Sequence, residues 1–290
     1  MIIVPGTASM DLGRKVAEIL GVKAIQVESR PFRDGESYFR LSEELEGEEV
    51  VVVQSTYPPQ DKHLIELFLL LDASRDLGAK EVIAVVPYLA YARQDKRFRP
   101  GEAVSATTIL KLIQSSGANR LLTFDIHKES ILKVLNIPTL NLSAMTLIGK
   151  YVSKMGLKKP YVFSPDKGAF HLAQRVAAVL RADCTFFEKH RDRETGEVAM
   201  APKKVDVKGR DALVVDDMIT TGSSVINAAN ILREQGAEKI YAACTHPILL
   251  SDSMKRLKKA GIKQIIGTDC VASQVSFVSV ALEIAEALRG

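Results

Sequence analysis

The chain repeats itself, and the repeat limits what it can fold into. The segment "VPGTASMDLGRKVAEIL" aligns with "SPDKGAFHLAQRVAAVL", setting Pro5 against Pro165 and Val16 against Val176 at an offset of 160 residues. Further on, "EGEEVVVVQS" aligns with "VKGRDALVVDD", with Gly47 against Gly209 at an offset of 162. "LGAKEVIAVVPY" then aligns with "QGAEKIYAACTHP", with Gly78 against Gly236 at an offset of 158. Three units recur in one order at a nearly constant spacing. That period is far longer than the roughly 20 to 50 residues of a solenoid repeat, so two copies of a whole domain are expected.

Within each copy, short apolar runs alternate with amphipathic segments. "EVVVVQS", "EVIAVVPY", "RLLTFDIH", "YVFSPD", "ALVVDD" and "KIYAACTHP" suit buried strands, and "MIIVPG" suits a first strand. "DLGRKVAEILG", "HLIELFLLLDASRDLG", "HLAQRVAAVLR" and "SVINAANILREQG" carry helical spacing. The alternation predicts α/β architecture, each domain a mainly parallel sheet flanked by helices. The boundary is expected around "NIPTLNLSAM", giving domains of residues 1–145 and 146–290, and 290 residues suffice for two such domains.

Composition narrows the function classes. A net charge of +4 without a long basic run disfavours nucleic acid as partner, yet leaves room for a locally basic site holding a small anion. No apolar stretch approaches the roughly 18 residues of a membrane span. The N-terminus lacks the charged start and apolar core of a signal peptide. Cys184, Cys244 and Cys270 are scattered, with no CxxC pair, so neither a disulfide framework nor a zinc site is indicated. A soluble cytoplasmic protein with no membrane partner is expected.

The chemistry concentrates in "ALVVDDMITTGSSV". Asp216 and Asp217 are expected to end a strand, and Ser223 or Ser224 to cap a helix starting at Val225. Between them, Thr220, Thr221, Gly222, Ser223 and Ser224 offer hydroxyls, backbone N–H groups and a helix N-terminus, the makings of a phosphate site. Gly222 admits backbone close to an anion or a positive φ. Carboxylates repel phosphate, so the aspartates suit hydrogen-bond donors or a metal. A ligand with phosphate at one end and vicinal hydroxyls at the other, a sugar phosphate, reconciles the two. The alternative is a solvated strand end followed by an ordinary helix cap.

"VVDDMITTGSS" resembles the phosphoribosyl-binding motif of type I phosphoribosyltransferases and ribose-phosphate pyrophosphokinases. There the acidic pair contacts the ribose hydroxyls and the following loop holds the 5-phosphate. The form here departs from the commoner Asp-Thr-Gly-Gly-Thr ending: Thr220 replaces an acid, and Ser223 and Ser224 replace Gly and Thr. Hydroxyl and backbone donors survive those changes. The rest of the chain resembles the ribose-phosphate pyrophosphokinase (PRPP synthetase) family over nearly its whole length. "RPFRDGESYFRL" matches the family's nucleotide-contact stretch, carrying ATP contacts to Phe32, Asp34, Gly35 and Glu36. "PYLAYARQDKRF" matches a second ATP segment, with Arg93 and Gln94 as contacts. "DIHKESIL" and "SPDKGA" place His127 and Asp166 where the family binds magnesium (Mg2+). "FFEKHRDRETGEV" resembles its mobile catalytic loop, making Lys189 and Arg191 the catalytic pair, Arg191 also reaching ribose 5-phosphate.

Elementary chemistry is compatible with each role. An aromatic ring such as Phe32 can stack on adenine while Asp34 or Glu36 accepts from an exocyclic amine. The Arg93 fork suits phosphate oxygens. Other readings remain: a surface turn at Asp34-Gly35, a structural histidine, a helix cap at Asp166, and a solvated hairpin around Lys189. The chain has no GxxxxGK[ST] and no GxGxxG, which disfavours a P-loop or protein-kinase nucleotide site. The resemblance implies transfer of pyrophosphate from ATP to ribose 5-phosphate by a homo-oligomer, with adenine held partly by a second chain. A phosphoribosyltransferase and a non-catalytic regulatory homologue are the alternatives.

Overall fold

The computed structural model describes residues 1–191, 198–201, 205–250 and 252–290, and for 188–191 and 198–201 the backbone alone. Contacts divide the chain into two compact units. The first comprises Met1–Leu142, Cys270–Ala272 and Ser279–Gly290, and the second Ser143–Asp269 and Ser273–Val278.

The first unit opens with β1 (Ile2–Pro5), α1 (Met10–Leu20) and β2 (Lys23–Ala24), then an antiparallel ribbon of β3 (Val27–Pro31) and β4 (Ser37–Leu41). It continues through β5 (Glu49–Val53), α2 (Gln60–Asp76), β6 (Glu81–Val86), α3 (Ser105–Ser115), β7 (Arg120–Phe124) and β8 (Thr139–Leu142). Its sheet has the order β2-β1-β5-β6-β7-β8, with every neighbouring pair parallel. Val50 to Val53 and Val82 to Val86 are buried without interruption, as expected of central parallel strands covered on both faces. Leu67, Leu70 and Leu71 of α2 and Leu110 and Ile113 of α3 complete the core.

The second unit begins with α4 (Met145–Ser153), β9 (Tyr161–Ser164), α5 (Phe170–Leu180) and β10 (Asp183–Phe186). A ribbon of β11 (Glu188–Arg191) and β12 (Val198–Ala201) follows. Then come β13 (Ala212–Ile219), α6 (Ser223–Glu234), β14 (Ile240–Pro247), α7 (Ser253–Lys259), β15 (Ile262–Thr268), β16 (Ser276–Val278) and, last, α8 (Ala281–Arg289). The order β10-β9-β13-β14-β15-β16, again all parallel, repeats the first sheet strand for strand. Equivalent helices bury equivalent faces: Leu12, Gly13, Val16 and Ala17 in α1, and Leu172, Ala173, Val176 and Ala177 in α5. The duplicated α/β domain expected from the sequence is therefore present.

The copies differ from simple tandem domains in where their last helices pack. The helix after β8 is α4, and it packs on α5 of the second unit. The helix after β16 is α8, and it packs on α1 of the first unit, where Arg289 Nη2 donates to the Ile19 carbonyl at 2.8 Å. Each sheet thus has its first helix covered by the helix that follows the other sheet. The apolar runs mark the strands but carry no sign of this exchange.

Gly149 marks the closeness of the α4 packing: a Cβ there would stand 2.8 Å from Val179 Cβ. Val179 Cβ is anchored to its own backbone and cannot rotate away. Gly149→Ala should therefore destabilise the protein by about 1 to 3 kcal/mol, the usual cost of overpacking. Thermal denaturation checks this; a variant as stable as wild type would mean that the two helices separate freely.

Candidate active site

In an open parallel sheet, ligands gather beyond the carboxyl ends of the strands. In the second unit this edge carries Asp166, two residues past β9, and Asp216 and Asp217 in β13. The aspartates lie inside the strand, which runs on to Ile219, rather than ending it as the sequence suggested. Asp216 pairs with Cys244 in the register of β14. Its Oδ1 accepts from Asp217 N at 3.0 Å, and Asp217 Oδ1 accepts from Met218 N at 2.7 Å. Burial pushes the Asp216 carboxyl well above its ordinary value, and the negative charges of Asp217 and Asp166 push it the same way. The strand end is an electrostatic debt that a cation or a set of donors would relieve.

The loop after β13 has the features of an anion cradle. Gly222 is left-handed, at φ 75°, and is itself the N-cap of α6, which begins at Ser223. The expected cap by Ser223 or Ser224 is absent: no side-chain cap bond forms, so their hydroxyls are not spent on closing the helix end. Thr221 Oγ1 and Ser223 Oγ stand 3.1 Å apart on the exposed rim of the loop. A Cβ on Gly222 would meet the Leu257 side chain at 2.9 Å, so glycine is required both for its φ and for its space.

Helix α7 holds this loop through residues on one face, a contribution the sequence reading missed. Ser253 Oγ donates to the Thr220 carbonyl at 2.6 Å, the buried Leu257 fills the space beneath Gly222, and Arg256 Nη2 reaches Ser223 Oγ at 3.4 Å. Arg256 is therefore a cation at the mouth of the inferred phosphate loop. The spacing of Arg256 and Leu257, three and four residues after Ser253, was legible, but nothing in the sequence tied α7 to residues more than thirty positions earlier. Asp166 shows another local duty: its Oδ1 accepts from Gly168 N at 2.9 Å and Ala169 N at 3.2 Å, bracing the turn into α5.

In the first unit, the tip of the β3–β4 ribbon is a tight turn. Gly35 N donates to the Phe32 carbonyl at 3.0 Å, Phe32 N to the Glu36 carbonyl at 2.7 Å, and Glu36 N to Asp34 Oδ1 at 3.2 Å. Gly35 takes φ 97°. The surface turn read at Asp34-Gly35 is thus real, and it presents Phe32 with 43% of its surface exposed. The ring packs edge-on against Tyr38, with the Arg30 guanidinium 5.5 Å from the Phe32 centroid and 4.5 Å from that of Tyr38.

Arg93 and Gln94 lie in the long connection after β6, Arg93 exposed and Gln94 half-buried. Gln94 Nε2 donates to the Lys96 carbonyl at 3.2 Å, and its own carbonyl accepts from Ala106 N at 3.3 Å. Asp95 pairs with Lys128 at 2.8 Å, and the ammonium hydrogen-bonded beside it holds the carboxyl below its usual range. That bridge ties the connection to the segment carrying His127. His127 is exposed and lies three residues beyond the end of β7, not at the strand end as read from sequence.

The backbone of Lys189 and Arg191 runs in β11, with Lys189 opposite Met200 and Arg191 opposite Val198. Their side chains lie outside the described residues. The ribbon occupies in the second copy the place of β3–β4 in the first, with Glu28 and Glu188 at the same offset of 160 residues as Pro5 and Pro165. The metal reading divides in the same way, since His127 belongs to the first unit and Asp166 to the second. Among the described residues, no group of three or more His, Cys, Asp or Glu is arranged to hold a metal, and no helix is long and apolar enough to cross a membrane.

The Asp216 shift has a consequence for the ligand-free protein. A carboxyl raised in the folded state contributes stability that is fully present below its unfolded value of 3.8 and is lost as pH rises through the folded value. Asp216→Asn keeps an acceptor for Asp217 N and cannot ionise. It should melt above wild type at neutral pH, with the gap closing as pH falls towards 3.8. A variant that melts below wild type at neutral pH would contradict this electrostatic account.

Two family models match the chain. One, the N-terminal domain of ribose phosphate pyrophosphokinase, covers residues 1–117, and the other, the phosphoribosyl transferase domain, covers residues 130–282. A ribose-phosphate pyrophosphokinase of Methanobrevibacter smithii is 42% identical over 305 residues, with 99% of each chain covered. Another, from Methanopyrus kandleri, is 43% identical over 290 residues, covering 100% of this chain and 99% of the relative. Among solved structures, phosphoribosylpyrophosphate synthetase from Mycobacterium smegmatis superposes with a TM-score of 0.87 at 29% identity, covering 99% of this chain and 97% of that one.

Proposed function

Since the chain belongs to the ribose-phosphate pyrophosphokinase family, we propose how its residues divide the work of that reaction. The enzyme transfers the pyrophosphoryl group of ATP to the anomeric hydroxyl of ribose 5-phosphate, giving AMP and 5-phosphoribosyl 1-pyrophosphate. The anomeric oxygen bonds to the β-phosphorus, the bond from that phosphorus to the α–β bridging oxygen breaks, and the hydroxyl proton is lost.

The observation that carries the assignment is the pairing of a charge-crowded Asp216 in β13 with the Gly222 loop six residues further on. The hydroxyls of Thr220, Thr221, Ser223 and Ser224 and the first amides of α6 hold the 5-phosphate, with Arg256 adding charge at the rim. Asp216 and Asp217 accept from the ribose hydroxyls. Phe32 stacks on adenine, Asp34 and Glu36 accept from its amine, Gly35 shapes the turn, and Arg93 and Gln94 contact the phosphates. Lys189 and Arg191 neutralise charge on the transferred group as it forms. Such chemistry needs alignment and charge neutralisation more than covalent help.

Magnesium fits this donor set as an ion that arrives with substrate. It needs few protein carboxylates when phosphate oxygens supply the rest, and the crowding around Asp216 is relieved by a cation nearby. When bound it supplies Lewis-acid polarisation of the triphosphate. Asp166 is the protein group we assign to it in the second unit, and His127 the one in the first. A homo-oligomer and a cytoplasmic setting complete the proposal.

Phosphorus NMR of the protein with ATP, magnesium and ribose 5-phosphate should show AMP and the pyrophosphorylated sugar; ADP, or free pyrophosphate alone, would refute the assignment. Lys189→Ala should lower kcat by roughly 10² to 10⁴, with little change in substrate affinity. Near-normal kcat with a raised KM would give that residue a binding role only. Arg256→Met should raise the KM for ribose 5-phosphate roughly tenfold or more, the scale of one charge-assisted hydrogen bond, while leaving the KM for ATP unchanged. Equal effects on both substrates would remove Arg256 from the phosphate loop.

A further inference from the structure

At the opposite edge of the second sheet, where β9, β10 and β13 begin, lies a half-open cavity of about 710 Å³. Its walls are basic. Among the described residues, the side-chain cations of Lys159, Arg181 and Lys208 line it with no ion-pair or hydrogen-bond partner, and all three residues are exposed. The other two cations are already engaged. Lys158 pairs with Glu238 at 2.5 Å. Arg210 donates to the carbonyls of Lys159, Asp206 and Pro160 and to Asp183 Oδ2, at 2.8 to 3.2 Å, with its guanidinium 4.6 Å from the Tyr161 centroid. Arg210 is thus a fixed wall that braces the segments bearing the unpartnered cations, and it neutralises Asp183. Asp206 is the one remaining acid in the lining, against three unspent positive charges.

The backbone of the wall is held in a costly conformation. Lys159 and Arg181 have φ of 43° and 51°, left-handed values that glycine adopts freely and lysine and arginine rarely do. The duplication supplies an internal control. At the end of α5 the Arg181 N–H donates to the Ala178 carbonyl and the Ala182 N–H to that of Ala177, and at the end of α1 Gly21 and Val22 make the same bonds to Glu18 and Ala17. The first copy uses glycine where the second tolerates strain to keep a guanidinium. The charge reverses as well: Glu46 and Glu48 flank Gly47 in the first copy, where Lys208 and Arg210 flank Gly209 in the second. Capping alone explains neither the arginine nor the reversal.

We propose that this cavity is a second anion site, which takes a small molecule bearing two or three linked phosphates. One phosphate would leave most of the volume empty, and the three cations come from three separate segments of the chain. The site is independent of the sugar loop, although β9 and β13 run from one to the other.

The probe is inorganic tripolyphosphate, titrated calorimetrically at physiological salt, with a pyrimidine nucleoside triphosphate in a parallel arm. Wild type should bind it at the cavity in addition to any binding at the active site. Lys159→Gly/Arg181→Gly should lose that site, about tenfold or more in affinity, while keeping wild-type kcat. Because both changes relieve left-handed backbone, the variant should also melt about 2 to 4 °C higher. Lys208→Glu, at an exposed position, serves as a second variant with the same expected loss. Tripolyphosphate binding identifies free oligophosphate as sufficient, whereas binding of the nucleotide alone identifies its phosphate tail as part of a larger ligand. Binding of neither probe to wild type, or unchanged binding in both variants, would overturn the proposal.

Discussion

In a parallel sheet every strand finishes at the same edge, and that constraint organises this molecule. The loops after β1, β5, β6 and β7 emerge together in the first unit, as do those after β9, β13, β14 and β15 in the second. Segments distant in sequence therefore reach one edge without any of them having to be near in the chain. Arg93 and Lys128 come from connections after neighbouring strands, and the Asp95–Lys128 pair fastens them. Asp166 and Asp216 come from neighbouring strands too, close enough for one carboxylate to raise the pKa of the other.

Duplication provided two such edges, and the copies have diverged in chemistry while keeping their backbone. At the aligned positions of the first copy, Gln54 and Ser55 stand in place of Asp216 and Asp217. Gln54 is buried and bonded to Ala8 N at 3.0 Å and Glu66 at 3.1 Å, so it is a structural group. The first copy has Pro58-Pro59-Gln60 where the second has Thr220-Thr221-Gly222. A proline offers no N–H, and neither it nor glutamine takes the left-handed conformation readily, so no anion cradle forms there. The proposed sugar-phosphate machinery thus resides in one copy. The ribbon after the second strand of the sheet, by contrast, is kept in both and carries the proposed nucleotide contacts in one and the proposed catalytic cations in the other.

Much of this was legible in the sequence, because buried parallel strands are near-continuous apolar runs and turn glycines recur at fixed offsets. The aspartates and the hydroxyl loop stood out in the sequence for a chemical reason: carboxylates beside an anion cradle suit a ligand with two different ends. What escaped were features set by packing between remote segments. The exchange of α4 and α8 between copies leaves no local signal, since an amphipathic face fits either sheet. Arg256 is one cation among several in "MKRLKKAGIK", and only the fold brings it to Ser223. The expected serine cap failed for a related reason: Gly222 supplies the turn geometry itself, which leaves the serine hydroxyls for another use.

The central claim is that the carboxylates of β13 are held in electrostatic tension that the substrate and its cation release. Carbon-13 NMR of the Asp216 carboxyl, followed through a pH titration, tests this most directly. In the free protein its inflection should lie well above the ordinary carboxylate value of 3.8. With magnesium and ribose 5-phosphate bound, the inflection should fall. A carboxyl that titrates near 3.8 in the free protein, unmoved by magnesium and ribose 5-phosphate, would contradict the account.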